Sequence, residues 1–111
     1  MINYYKGLYA EKIAAILLLI KGYKILDSRF KSKIGEIDLI CSKNKKIIFA
    51  EVKFRHDKQA LIDVITYKQQ RRIINTANLY LQTNKLYDRE CRIDVIFISP
   101  PFYLKHILNA F

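Results

Sequence analysis

Three charged residues sit where strand-like sequence is most apolar: Asp38 in "GEIDLI" (residues 35–40), then Glu51 and Lys53 in "AEVKFR" (residues 50–55). Side chains alternate across a strand, so Phe49, Glu51, Lys53 and Arg55 share one face and Ile48, Ala50, Val52 and Phe54 the other. Glu36 and Asp38 share a face of the preceding strand, opposite Ile37 and Leu39. If the two strands pair through the "KNKK" turn, the carboxylates of Asp38 and Glu51 converge. Two acids that close repel one another, and burial makes each harder to ionise. A hard divalent cation removes both penalties, and two carboxylates with waters and a substrate phosphate suit Mg²⁺ or Mn²⁺. A lysine beside such an ion can orient the attacking water or offset charge developing on phosphorus. The pattern Asp, then Glu-x-Lys, therefore fits metal-assisted phosphodiester hydrolysis.

The same spacing also fits a solvated sheet face carrying a cross-strand ion pair worth about 0.2–1 kcal/mol. Glu11 tilts the balance. It lies on the apolar stripe of the first helix, three and four residues before Ala14 and Ala15, where an unpaired carboxylate is costly.

The elements that must hold these residues follow from periodicity. Gly7, Glu11, Ala14, Ala15, Leu18 and Leu19 predict a helix over residues 3–20 with a glycine stop in "KGYK". Three strands follow, "YKILDSRF", "GEIDLICS" and "KKIIFAEVKFR", joined by the turns "KSKIG" and "KNKK" into an antiparallel meander. Val64, Tyr67, Ile74, Ala77 and Leu81 predict a long helix from Gln59 to about Thr83. "CRIDVIFIS" reads as a central strand ended by Pro100 and Pro101, and "YLKHILNAF" as a short C-terminal helix. A strand, crossover helix and strand pair in parallel, so a mixed sheet covered by helices is expected.

Composition sets the frame. The 111 residues suffice for a single domain spanning 1–111, and 51% hydrophobic with 27% charged residues calls for a packed core. The net charge of +10 suggests an anionic partner such as nucleic acid. Because 14 of the 20 basic residues are lysine, codon bias explains part of it. Cys41 and Cys91 have no CxxC or histidine cluster beside them, so reduced, buried thiols in a cytoplasmic protein are expected. "IAAILLLI" has eight residues, well short of the ~20 of a membrane helix, and it is preceded by Glu11 and Lys12. Tyr4, Tyr5 and Tyr9 could stack on unpaired bases, although core or edge packing is the more ordinary use. His56 and His106 show no partner in sequence and stay outside the candidate site.

In combination the motifs are more specific than any one of them. Gly7 with "AEKIA", "GYKILDSRF", "GEIDLI", "FAEVKFR", "YKQQRRI", "ANLYL", "RIDVIFI" and "NAF" resemble the YraN family of small bacterial proteins nearly end to end. Through it the chain resembles the Holliday-junction-resolvase-like branch of the PD-(D/E)xK, or restriction-endonuclease-like, fold. That resemblance implies an α/β protein with an α-β-β-β-α-β core. It implies Asp38 and Glu51 as metal ligands assisted by Glu11, Lys53 as the catalytic lysine, Lys68 as a phosphate contact, and Mg²⁺ or Mn²⁺ as cofactor. Two positions depart from the pattern: Ile37 replaces the proline of the "PD" pair, and Ala10 stands where relatives often have glycine.

Arg29, Lys31, Lys33, Arg55, Lys68, Arg71 and Arg72 could track a phosphate backbone, although each singly also reads as solvated surface. The expected activity is that of a Mg²⁺-dependent endonuclease on branched or structured DNA; the alternative is a catalytically silent nucleic-acid-binding or partner-recruiting module. Cutting two strands takes two sites, so a homodimer is a candidate assembly, with the apolar end helices as its candidate contact.

Overall fold

The computed structural model describes residues 2–56, 65–86, 88–101 and 103–111, with side chains from residue 7 onward. The elements run α1 (Ile2–Ile20), β1 (Lys24–Lys31), β2 (Glu36–Lys43), β3 (Lys46–Phe54), α2 (Tyr67–Thr83), β4 (Cys91–Ser99) and β5 (Tyr103–Ile107). The five strands form one mixed sheet in sequence order. β1, β2 and β3 pair antiparallel, β3 and β4 pair in parallel across the α2 crossover, and β5 returns antiparallel along β4. The α/β order and mixed sheet are those the sequence predicts.

The two faces of the sheet carry two cores. Ala10, Ala14 and Leu18 of α1 pack on Leu39, Cys41, Ile48, Ala50, Ile96 and Ile98. On the opposite face Ile73, Ala77, Tyr80 and Leu81 of α2 pack on Ile37, Ile40, Ile47, Phe49, Ile93 and Val95. β3 and β4, covered on both faces, are the nearly continuous apolar runs that central parallel strands require. Tyr80 meets Phe30 and Phe49 edge-on, with centroids 5.2 and 5.9 Å apart.

Local chemistry sets the ends of these elements. After α1, Gly22 takes φ +89°, and the bonds Tyr23 N–H to Leu18 O and Gly22 N–H to Leu19 O close a Schellman motif. The "KNKK" hairpin turns on Asn44 (φ 52°) and Lys45 (φ 68°), both left-handed as a type I′ turn demands. Thr66 caps α2 by accepting from Gln69 N–H, while the Gln69 side chain accepts from Thr66 N–H.

Several expectations are corrected. "YLKHILNAF" is not a helix: Tyr103–Ile107 is β5. The spacing of Leu104, Ile107 and Leu108 mimics a helical stripe, but the open edge of β4 offers backbone partners that a helix there would leave unmet. In α1 the buried line is Ala10–Ala14–Leu18, which leaves Leu19 56% exposed, and Tyr9 is exposed rather than packed. In α2 the buried line is Ile73, Thr76, Ala77, Tyr80 and Leu81; Tyr67, at the first turn, projects past the sheet and is 75% exposed. The helix predicted from Gln59 begins only at Tyr67, because Ile65 and the extended N-cap Thr66 are not helical; residues 59–64, Val64 among them, lie outside the described residues, as do the side chains of Tyr4 and Tyr5. Cys41 is buried as expected, whereas Cys91 is exposed; both thiols are free.

Candidate active site

β2 and β3 hold the site where their pairing ends. Their register runs from Lys43–Lys46 to Leu39–Ala50 and stops there, one step short of setting Asp38 opposite Glu51. In place of the next ladder bond, the Asp38 carboxylate accepts a hydrogen bond from the Val52 N–H at 2.8 Å. Strict alternation breaks at the same point. Ile37 belongs to the core under α2 and Leu39 to the core under α1, so the expected shared face of Ile37 and Leu39 is not found. A carboxylate that caps its neighbour's backbone opens the strands locally and turns Asp38 toward Glu51.

Burial and neighbouring charge shift two of the acids. Burial pushes the Glu51 carboxyl up to about 9, and the charge of Asp38 and a hydrogen bond with Asp38 push the same way; Lys53 pulls against them. Glu11 is also raised, first by burial and then by Asp38, and Arg29 opposes the shift. The Arg29 Nε lies 3.7 Å from Glu11 Oε2, whose side chain is 17% exposed. Asp38 thus acts on both Glu51 and Glu11, and Glu11 adds, as the smallest of the causes, to the rise at Glu51. Among the described residues, no group of three acidic, thiol or imidazole side chains is already gathered for one ion.

In front of Glu51 and Lys53 opens a cleft of about 580 Å³. Ser32, Lys33, Ile34, Gly35 and Glu36 form one wall, and Gln69, Arg72 and Ile73 of α2 with Ile65 form the other. Glycine at 35 lets the β1–β2 hairpin close on α2. A Cβ there would stand 2.7 Å from Arg72 Cγ and 2.8 Å from Thr76 Oγ1, and the Thr76 hydroxyl is fixed by donating to Arg72 O at 2.7 Å.

Of the basic residues picked from sequence, Lys33, Lys53 and Arg72 line this cleft and Arg29 stands beside Glu11. Lys31 ends β1 opposite Glu36. Lys68 and Arg71 are exposed on α2 but do not line the cleft. Arg55 lies past the end of β3, its guanidinium donates to the Phe54 carbonyl at 2.7 Å, and it does not line the cleft. Glu36 and Gln69, which are not among the candidates named from sequence, also line the cleft. The i, i+2 relation of Glu36 to Asp38 is a usable signal for the first, and only the packing of α2 brings the second, in its first turn, to the cleft.

Asp94 was missed entirely. Fully buried on β4, it accepts from Arg92 Nε at 2.8 Å and Arg92 Nη2 at 3.0 Å, pairs with His106 Nε2 at 2.8 Å, and accepts from Asn109 N–H at 3.0 Å. Burial acts to raise its pKa, but the bonds from Arg92, Asn109 and His106 outweigh burial and hold it below the usual carboxylate range. This cluster ties β5 and the tail to the sheet, and it is why the side chain of His106, which the predicted last helix would have carried on one face, is buried beside a strand.

In chemical terms the donor set suits a hard cation. Carboxylate oxygens of Asp38 and Glu51 would hold it, Glu11 would join directly or through water, and its charge would offset the burial and the Asp38 charge that hold the Glu51 carboxyl protonated. Bound there, Mg²⁺ or Mn²⁺ would supply Lewis-acid charge to a phosphate in the cleft.

Comparison with known proteins places the chain. The pattern of the uncharacterised protein family UPF0102 matches residues 10–98. A UPF0102 protein of Nitrobacter winogradskyi is 38% identical over 97% of this chain and 92% of its own length. Another from a Bradyrhizobium species is 41% identical over 95% and 78%, and one from Clostridioides difficile is 39% identical over the whole of both. The match spans α1 from Ala10, both carboxylate strands, α2 and β4, so the chain belongs to the uncharacterised protein family UPF0102, the YraN family that its motifs resemble.

Proposed function

We propose that this protein is a Mg²⁺- or Mn²⁺-dependent endonuclease that hydrolyses phosphodiester bonds of nucleic acid, with branched or structured DNA as the first candidate substrate. The observation that carries the proposal is the Asp38–Glu51 pair at the point where β2 and β3 part, with Lys53 two residues on and open to the same cleft. In this reading Asp38 and Glu51 hold the cation and Glu11, steadied by Arg29, assists. The Lys53 ammonium orients the attacking water and offsets charge developing on the phosphate. Lys33 and Arg72 on the two walls hold the flanking phosphates, and the net charge of +10 draws the polyanion in.

Among the described residues no helix is long and apolar enough to cross a membrane. Two free thiols fit the reducing cytoplasm that the reading assumes. A second copy, if cutting requires one, has the exposed Tyr9, Ile16, Leu19 and Ile20 of α1 as its candidate contact.

A second reading rests on the net charge of +10, which attracts a polyanion whether or not the acids hold a cation. On that reading the chain binds nucleic acid without cutting it. The experiment is cleavage of four-way junctions, flaps, duplex and single strands in Mg²⁺ or Mn²⁺, beside Glu51→Ala and Lys53→Ala. The nuclease reading expects metal-dependent cutting that both substitutions abolish. Cutting that survives both substitutions would sink the site assignment, and salt-sensitive binding without any cutting would establish the second reading.

A further inference from the structure

The wall of the cleft formed by the β1–β2 hairpin is unusually well fixed for an exposed loop. Ser32 Oγ accepts from the N–H groups of Ile34 and Gly35 at 3.2 Å each and donates to Gly35 O at 2.9 Å, and Ser32 N–H bonds the same carbonyl at 3.0 Å. Gly35 is pressed against Arg72 and Thr76 behind it. This frame holds Lys33 and Ile34 outward over the cleft, with Ile34 46% exposed.

A single exposed isoleucine on a protein surface is ordinary. Here it stands at the rim of the cleft that holds Glu51 and Lys53, between two cations, Lys33 and Arg72. Behind it the other apolar lining residues, Ile65 and Ile73, are only 6% and 7% exposed, so Ile34 supplies most of the apolar surface that a ligand would meet. Apolar side chains on a fixed support are what proteins use to wedge against base faces. The cleft volume of about 580 Å³ falls in the range of pockets that enclose a small ligand and is on the scale of one nucleotide.

Resting on the phosphodiesterase reading above, we propose that this cleft receives one unpaired nucleotide. Its base lies against Ile34, and its phosphates lie between Lys33, Lys53 and Arg72. The substrate class is then a strand with an unpaired base beside the scissile bond, as in a flap, a bulge or a branch point. Continuous duplex, whose bases are paired and stacked, leaves Ile34 without a partner.

The test measures binding in EDTA, so that no cutting intervenes, to three probes carrying 2-aminopurine: a flapped duplex labelled at the first unpaired base, a single strand, and a continuous duplex. Wild type is compared with Ile34→Ser and Lys33→Ala; Ile34 is exposed, and equal melting temperatures confirm intact folds. The proposal expects wild type to prefer the flap and the single strand over duplex and to change the fluorescence of the unpaired base. Ile34→Ser should weaken flap binding about tenfold, the loss of one apolar side chain's burial against a base, and duplex binding less than about twofold. Lys33→Ala should weaken all three probes alike. Equal wild-type affinity for flap and duplex, or an Ile34→Ser variant indistinguishable from wild type on the flap, overturns the inference. If Mn²⁺-dependent cutting persists in that case, the nuclease reading stands without it. If the binding pattern is found without cutting on any substrate, the cleft assignment stands and the nuclease reading falls.

Discussion

Replacing Glu51 by glutamine keeps the shape and hydrogen-bonding capacity of the side chain while removing its charge, and the structure fixes the sign of the result. Burial and Asp38 push the Glu51 carboxyl from 4.5 to about 9, so between these values the folded chain binds a proton that the unfolded chain has released. Stability contributed by the neutral carboxyl is fully present below about pH 4.5 and is lost as pH rises toward 9. At pH 7 the interval above 4.5 is about 2.5 units, and at about 1.36 kcal/mol per unit the native state is disfavoured by about 3 kcal/mol. Glu51→Gln should therefore be more stable than wild type at pH 7 by roughly 2–3 kcal/mol, or by roughly 10 °C in Tm for a domain of this size. The gain should vanish near pH 4.5.

The assay is urea unfolding followed by circular dichroism in EDTA from pH 4.5 to 8.5. Parallel stability curves for the two proteins would refute the reasoning, because they would place Glu51 in contact with solvent rather than against Asp38. Mg²⁺ adds a second arm. At ten times its Kd, a cation held by Asp38 and Glu51 should raise wild-type stability by about 1.4 kcal/mol and leave Glu51→Gln nearly unmoved.

Other substitutions probe the elements that frame the site. Asp94→Ala should cost about 3–5 kcal/mol in urea unfolding, because it removes the carboxylate shared by Arg92, His106 and the Asn109 N–H and leaves the half-buried Arg92 guanidinium only the Tyr23 hydroxyl. Since the Asp94 pKa is depressed, its contribution is present above the ordinary value of 3.8 and fades as pH falls through the folded value, so wild type and Asp94→Asn should converge in strong acid. Gly35→Ala should lower Tm through a cost of about 1–3 kcal/mol, since the fixed Thr76 hydroxyl cannot yield to the added methyl as the Arg72 chain can. Lys45→Gly, at φ 68° in the β2–β3 turn, should stabilise the chain by about 1 kcal/mol in urea unfolding.

Much of this arrangement could be read from the chain because short-range signals and tertiary structure agree. The glycine after α1, the Asn-Lys turn of the β2–β3 hairpin and the crossover length before β4 each name their element, and the alternation of Phe49, Glu51 and Lys53 survives because β3 is central and covered on both sides. The acidic residues drew notice because their placement defied that patterning. What stayed hidden depended on contacts far apart in sequence. β5 exists because β4 has an edge to fill, and neither that edge nor the tie from Asp94 to His106 and Asn109 leaves a mark in the periodicity of "YLKHILNAF". The end of β2–β3 pairing at Asp38 was equally invisible, since the carboxylate that replaces the ladder bond serves a residue fourteen positions away. Basic residues were the least legible group: long chains on exposed positions look alike in sequence, and only the packing of α2 against the β1–β2 hairpin separates Arg72 from Lys68 and Arg71.

The central claim is that Asp38, Glu51 and Lys53 form a phosphodiester-cleaving centre. The most direct measurement is single-turnover cleavage of an end-labelled flap by the purified chain in Mn²⁺, run beside Glu51→Ala and Lys53→Ala at concentrations that saturate binding. The account predicts cutting that EDTA abolishes and that each substitution slows by about a thousandfold with binding retained. Equal rates for wild type and either variant, or no cutting by wild type on a saturated substrate, would contradict it.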